Sequence, residues 1–457
     1  MRTAINLALA CACAFTAQAR EEYKREFTRT VTLAAGHSFR IENSLGTVVI
    51  HTQPNGQASI RAVIQCSAPT AEEARRCADR IQVAIDQGGG NLSVRTEFPS
   101  FHENNTGFSV SYDLTVPEAA PIEVRNRFGN VSLTGPHAAA AIVNGNGNVS
   151  MSMGRGHQQI ENSFGNVELR GNDGDAIVRN TNGDVTAVDI SGPLDIADRF
   201  GKVHVSNAGR GLTIHSNNGQ IEATLVGGVA TITNSFGAVV VTEAKADVNV
   251  RNENGAITAT GVTGAADLAT TFGHVQCARI GKGLSVHAQN TGVNCEQVGG
   301  QANVETSFAT VDLRDIKGGA RVTATNSPIK IATVAGEIYA KTSFGEVRLE
   351  SASGPVTVED TNGSVIVDAH PARPGLECQP ISVRTTFGPI RVAVPAGGPG
   401  YQVTANTSFG EVRTDHEMRV TGSLASGSLQ GRIGDGSCPL RLNDQNGSIE
   451  ILKSVKH

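Results

Sequence analysis

Twelve histidines, 43 acidic residues and eight cysteines are the side chains that could carry chemistry in this chain. Hydrolysis or elimination on a polysaccharide needs two carboxylates at a fixed separation on one face. The closest approach to such a cluster is the column Glu168, Thr186, His204, Glu222, Val240, which does not stay acidic. Asp184 and Asp189 share one stretch but read as solvating surface carboxylates. The histidines lack zinc spacing. There is no glycine-flanked nucleophile serine, phosphate loop or calcium-binding nonapeptide. No catalytic, metal-binding or cofactor-binding residue is therefore expected, and no cofactor.

The cysteines carry the firmer signal. Arg2, an apolar run from Ile5 to Phe15 and Ala17-Gln18-Ala19 read as a secretory leader over 1–19. Ala8-Leu9-Ala10 fits a lipid-attachment site at Cys11 or Cys13 poorly. Removing that leader leaves six cysteines in an oxidising compartment. Cys66 and Cys77 bracket the start of a helix-like segment, and Cys277 and Cys295 fall 18 residues apart in one column. Cys378 and Cys438 then pair by exclusion. The expected location is outside the cytoplasm: periplasmic, cell-surface associated or secreted. No later stretch approaches the ~20 apolar residues of a membrane-spanning helix, and a net charge of -5 gives no footprint for nucleic acid.

What positions these residues is a repeat. Gly129, Gly147 and Gly165 open a series that recurs every 18 residues to Gly273. Thr291, Ala309 and Ser327 hold the next three places before Gly345 and Gly363 return. Two residues after each place stands Val or Ile, from Val131 through Val167, Val185 and Val239 to Val365, with a second apolar residue two further on. A spacing of two marks a strand with one buried face. A second such strand follows about nine residues later. Units that cannot bury their apolar face alone stack into a solenoid. The predicted fold is all-β, a parallel β-helix of 18-residue coils with two short strands each. At ~4.8 Å per coil, fourteen coils extend on the order of 65 Å.

Two further columns belong to the turns. Asn126, Asn144, Asn162, Asn180, Asn234 and Asn252 precede the turn glycines by three, and parity turns them inward as a hydrogen-bonded ladder rather than a metal row. Phe128, Phe164, Phe200, Phe236, Phe272, Phe308 and Phe344 recur every 36 residues, alternating with Asn146, Asn182 and their successors. The rings are expected to plug the corners from inside; an exposed apolar binding stripe is the other reading. A 36-residue coil would stack the rings directly. The shorter coil puts Cys277 and Cys295 within disulfide reach.

The organisation expected is a leader at 1–19, an N-terminal β region over 20–120 and the regular solenoid over 121–370. Irregular coils with a cap follow over 371–457. Thr70 as N-cap and Glu73 three residues on predict a capping helix near 70–82, the residues that follow it already alternating like a strand.

The stretches "FRIENSLGTVVIHT" (39–52) and "VSYDLTVPEAAPIEVRNRFGNVSLTG" (110–135), with many NGxV and FGxV turns, resemble a bacterial family of unknown function described as "putative adhesin" with β-strand repeats. The resemblance spans nearly the whole mature chain and implies an exported β-solenoid. It supplies no catalytic residues to transfer. The functional expectation is a non-enzymatic, adhesin-like or cell-envelope scaffold protein that binds a surface protein or glycan. The alternative is a carbohydrate-active β-helix with its site in the loops after His370.

Overall fold

A computed structural model of the chain describes residues 20–98, 106–370, 378–421 and 426–454; the leader-like segment 1–19 lies outside them. The chain is 66% strand with one helix among the described residues, and forms a parallel β-solenoid of about 14 turns at an 18-residue spacing. It divides into two compact units, one of residues 1–136 with 143–146, the other of 137–142 with 147–457.

In the larger unit each coil contributes one strand to each of two facing sheets. In the first sheet Val149 lies opposite Val167, Val167 opposite Val185, and Val185 opposite Val203, all in parallel register. In the second, Ala176 stands opposite Leu194 and Leu194 opposite Leu212. The apolar residues of these columns are fully buried. Stacking coils removes from water a face that one coil leaves exposed, at about 25 cal/mol for each Å² of apolar surface. The gap between the sheets is filled by Val, Ile, Leu and Ala. The buried aromatics Phe39, Tyr112 and Tyr401 all lie outside the regular 18-residue coils.

Each coil turns at two corners. At the first, glycines stack directly: a Cβ on Gly165 would meet the Gly147 carbonyl oxygen at 2.3 Å. Where glycine is missing, at Thr291, Ala309 and Ser327, the positive φ moves one residue upstream to Asn290 (48°), Phe308 (58°) and Asn326 (53°). The corner keeps its left-handed residue, which explains how the register survives there. At the second corner a left-handed residue recurs every 18 positions, including Met153, Asp189, Leu225, Arg279 and Thr333. It interrupts the alternation, so that burial steps by two and then three, as in Val185, Ala187 and Ile190.

In the smaller unit, 21–32, 57–68 and 107–117 form an antiparallel set. Helix Ala71–Arg80 packs on the first two of these strands. Thr70 caps it by accepting from the Glu73 backbone N–H at 3.3 Å, and Gln82–Asp86 is a strand.

Spatial order departs from chain order at both ends. Phe39–Leu45 lies between Leu92–Glu97 and Ile122–Phe128, so the coil first in sequence is interior. In the larger unit the last coil does the same. Cys438–Asp444 sits between Ile381–Arg384 and Tyr401–Thr407, and Ile449–Lys453 between Ile390–Val394 and Val412–Thr414. The antiparallel strand Ser428–Ile433 then covers the outer edge of Tyr401–Thr407, which blunts a template for chain-to-chain pairing.

Candidate functional site

Cys66 is bonded to Cys77, Cys277 to Cys295 and Cys378 to Cys438. The middle pair joins neighbouring coils of one inward column, with α-carbons 4.5 Å apart.

The polar column lines the inside of the first corner. Asn126, Asn144, Asn162, Asn180, Asn234 and Asn252 are all buried. The Asn162 amide donates to the Gly165 carbonyl at 2.9 Å and to Asn180 Oδ1 at 3.3 Å; Asn180 donates to the Gly183 carbonyl at 2.7 Å. Each amide thus closes its own turn, and some reach the next coil. Further along, the amides turn to the preceding coil, as Asn252 does to the Gly237 carbonyl at 2.9 Å. Asp198 takes the next place after Asn180 and, once ionised, cannot donate. Neither of its oxygens meets hydrogen-bond geometry. Burial pushes its pKa up to about 7, against a weaker pull from the Arg199 backbone N–H and the Asn180 amide. Asp360 is likewise raised by burial, to about 6.

The phenylalanine row does not plug the corners. Its rings are 42% (Phe128) to 63% (Phe308) exposed. The expectation of burial fails because the inside of the corner is already filled, by the polar side chain two residues upstream and by the stacked turn glycines. A positive φ at the glycine that follows six of the seven rings, and at Phe308 itself where Ala309 replaces the glycine, ends the inward alternation at the corner. Phe164 and the rings after it therefore form an outward stripe in the larger unit, with Phe164 opposite Asn182, Asn182 opposite Phe200 and Phe200 opposite Asn218.

The stripe continues into the end region. Phe344 bridges to Asn362, Asn362 to Phe387 and Phe387 to Asn446. The coil of Phe409 follows, its backbone N–H donating to the Gln445 carbonyl at 2.9 Å. In the chain, Phe387 is followed by Phe409; in space Asn446 stands between them. Ring and amide alternate because of who is next to whom in the stack, and tandem copying of a 36-residue block cannot account for that.

A groove of about 800 Å³ runs along the second corner, between Glu243 and Ser353. Arg279 and Glu243 meet across it at 3.2 Å, two coils apart. They pass over Gly261, where a Cβ would strike the Glu243 carboxylate at 2.4 Å.

Candidate acid–base groups are dispersed. Glu168, Thr186, His204, Glu222 and Val240 do form one row on the outer face of the first sheet. Glu168 is held by Arg170, and His204 faces Glu222 at 3.5 Å, well exposed. Asp184 accepts from the Lys202 backbone N–H and Asp189 from Asn207, both within the turns. Among the described residues no three His, Cys, Asp or Glu side chains gather as a metal site. In the region after His370, where a catalytic site was the alternative, Glu411 is held by Arg413 and, on neighbouring strands, Glu450 by Arg391. Residues 371–377 lie outside those described.

No family model matches this chain, and no curated protein matches it. Among solved structures it is similar to a protein from Clostridium sporogenes described as a "putative cell adhesion protein". The identity is 9% over 94% of this chain and all of the other, at a TM-score of 0.18. So low an identity and TM-score assign this chain no role.

Proposed function

We propose that the protein is an exported, non-enzymatic binding solenoid of the adhesin or envelope-scaffold kind, and that the alternating Phe/Asn stripe is its contact surface. The observation that carries this is the continuation of the alternation through the out-of-order coil 438–453. Half-exposed rings at a regular interval add little to folding, and large apolar groups left in water along one line mark an interaction site. The disulfides support an oxidising compartment. The non-enzymatic reading is supported by carboxylates that are dispersed or held by arginine.

The test is to replace Phe236 and Phe272 together with serine and measure retention of the purified protein on isolated cell envelopes. Loss of retention with an unchanged circular dichroism spectrum is expected; retention equal to that of the unaltered protein refutes the stripe as the contact surface.

A further inference from the structure

We infer that the stripe binds an extended, uncharged, β-1,4-linked glycan laid along the coil axis, an inference that rests on the stripe being the contact surface. Three observations select this partner.

The first is interval. Neighbouring coils are one interstrand spacing apart, so rings two coils apart recur every ~9.6 Å. In a fully extended β-1,4-linked chain each pyranose advances by about one such spacing and is turned over relative to the last. The same sugar face therefore recurs at every second residue. A ligand of that kind meets a ring, an amide, a ring, an amide, in step with its own twofold alternation. A polypeptide strand laid along the axis repeats faster and drifts out of phase with the rings.

The second is chemistry at each position. The axial C–H faces of a pyranose stack on the electron-rich face of an aromatic ring, and the flipped sugar between them offers hydroxyls to an amide. Asn218, Asn254 and Asn362 have the donors and acceptors for this, and their side chains make no hydrogen bond within the described residues.

The third is charge. Between 163 and 361, the residues that immediately precede the ring and amide positions are Ser, Thr, Asn and Gln, except for Arg199 and Glu253. A surface this neutral matches a neutral polymer. A single arginine, Arg199 over the Phe200 ring at 5.3 Å, is too little positive charge for a nucleic acid or an anionic lipid, and with Glu253 opposite in sign the row offers no one-sided charge for a strongly charged protein face.

The experiment measures binding of the full chain to cellulose and chitin particles, and to soluble cello- and chito-oligosaccharides of increasing length, with an α-1,4-linked glucan as control. Four proteins are compared: the unaltered chain, Phe236→Ser with Phe272→Ser, a deletion of 238–255, and a deletion of 238–273. Removing one coil puts Phe236 and Phe272 on adjacent coils and breaks the phase while keeping every ring. Removing two loses a ring and keeps the phase. Binding to a β-1,4-linked polymer should rise with oligosaccharide length and fall by more than about tenfold in the serine variant. It should fall more with one coil deleted than with two.

Equal binding of the α-linked control, or equal loss in the two deletions, overturns the glycan inference. If neither deletion folds, length dependence and the serine variant decide. If no glycan binds, but the serine variant abolishes self-association in sedimentation or retention on envelopes, the partner is a second copy or another molecule. The glycan inference then falls and the stripe stands. If the serine variant changes none of these readouts, both fall.

Discussion

Asp198 interrupts a ladder of amides, and the interruption has a sign and a size. Its ordinary pKa of 3.8 rises to about 7 in the folded chain because burial disfavours the charged form. The folded state therefore holds a proton that the unfolded chain releases. This contribution to stability is intact below pH 3.8, shrinks as pH rises through the interval and is fully lost above about 7. At about 1.4 kcal/mol per pH unit the gap corresponds to about 4 kcal/mol. Relaxation of the corner around the charge lowers this, so a cost of about 2 kcal/mol above pH 7 is expected. Asp198→Asn removes the charge and restores a donor that can reach the Gly201 carbonyl, as Asn180 reaches that of Gly183 at 2.7 Å. Urea unfolding followed by circular dichroism at pH 4, 6 and 8 should show the variant close to the unaltered protein at pH 4 and about 2 kcal/mol more stable at pH 8. Parallel pH profiles, or a variant that is less stable at pH 8, would show that Asp198 is ionised without cost and that the ladder reasoning is wrong.

Phe236→Ser should cost less than about 1 kcal/mol in the same unfolding assay, against the 3–5 kcal/mol of losing a buried ring; a cost above 3 would place the ring in the core. Thr333→Gly should stabilise by up to about 1 kcal/mol, because a β-branched residue at φ 57° is strained where glycine is not. Gly165→Ala should lower the melting temperature sharply, since the new carbon would lie 2.3 Å from the Gly147 carbonyl oxygen. Replacing Cys277 and Cys295 with alanine should cost about 3 kcal/mol, the loop-closure value for a bridge of this separation; Ellman titration of the unaltered, unfolded protein should find those thiols unavailable.

The coil length and the inward columns were legible because a solenoid repeats its burial at a constant interval. Val167 and Val185 have the same neighbours, so they have the same residue type. The direction of Phe164 was not legible, because the size of a repeated ring argues for burial while the turn decides which way it points. Parity holds only while φ and ψ stay extended, and the Asn162 amide together with a left-handed Gly165 ends that regime two residues early. The left-handed column at the second corner left only a broken trace: Gly171, Asp189, Asn207, Gly261 and Asp315 fit it, but Met153, Leu225, Arg279 and Thr333 sit there too, the conformation being imposed by the coils on either side. The placement of 438–453 was equally hidden, because Pro380 and Pro395 loosen the spacing and strand pairing there follows contacts distant in sequence. The groove beside Arg279 and Glu243 had no signal beyond Gly261.

The interleaved final coil determines how this protein comes apart and how it is completed. A stack laid down strictly in chain order would come apart one layer at a time from its outer end. Here the segment 438–453 is clasped on both sides, by 381–394 and by 401–414. Loosening it means breaking two sets of strand pairings at once, with Cys378 and Cys438 still joined. Assembly has the mirror-image constraint: 401–414 has no finished layer to rest on until the chain beyond it has arrived. The layers 401–414 and 438–453 therefore close together, in a single step, onto 381–394.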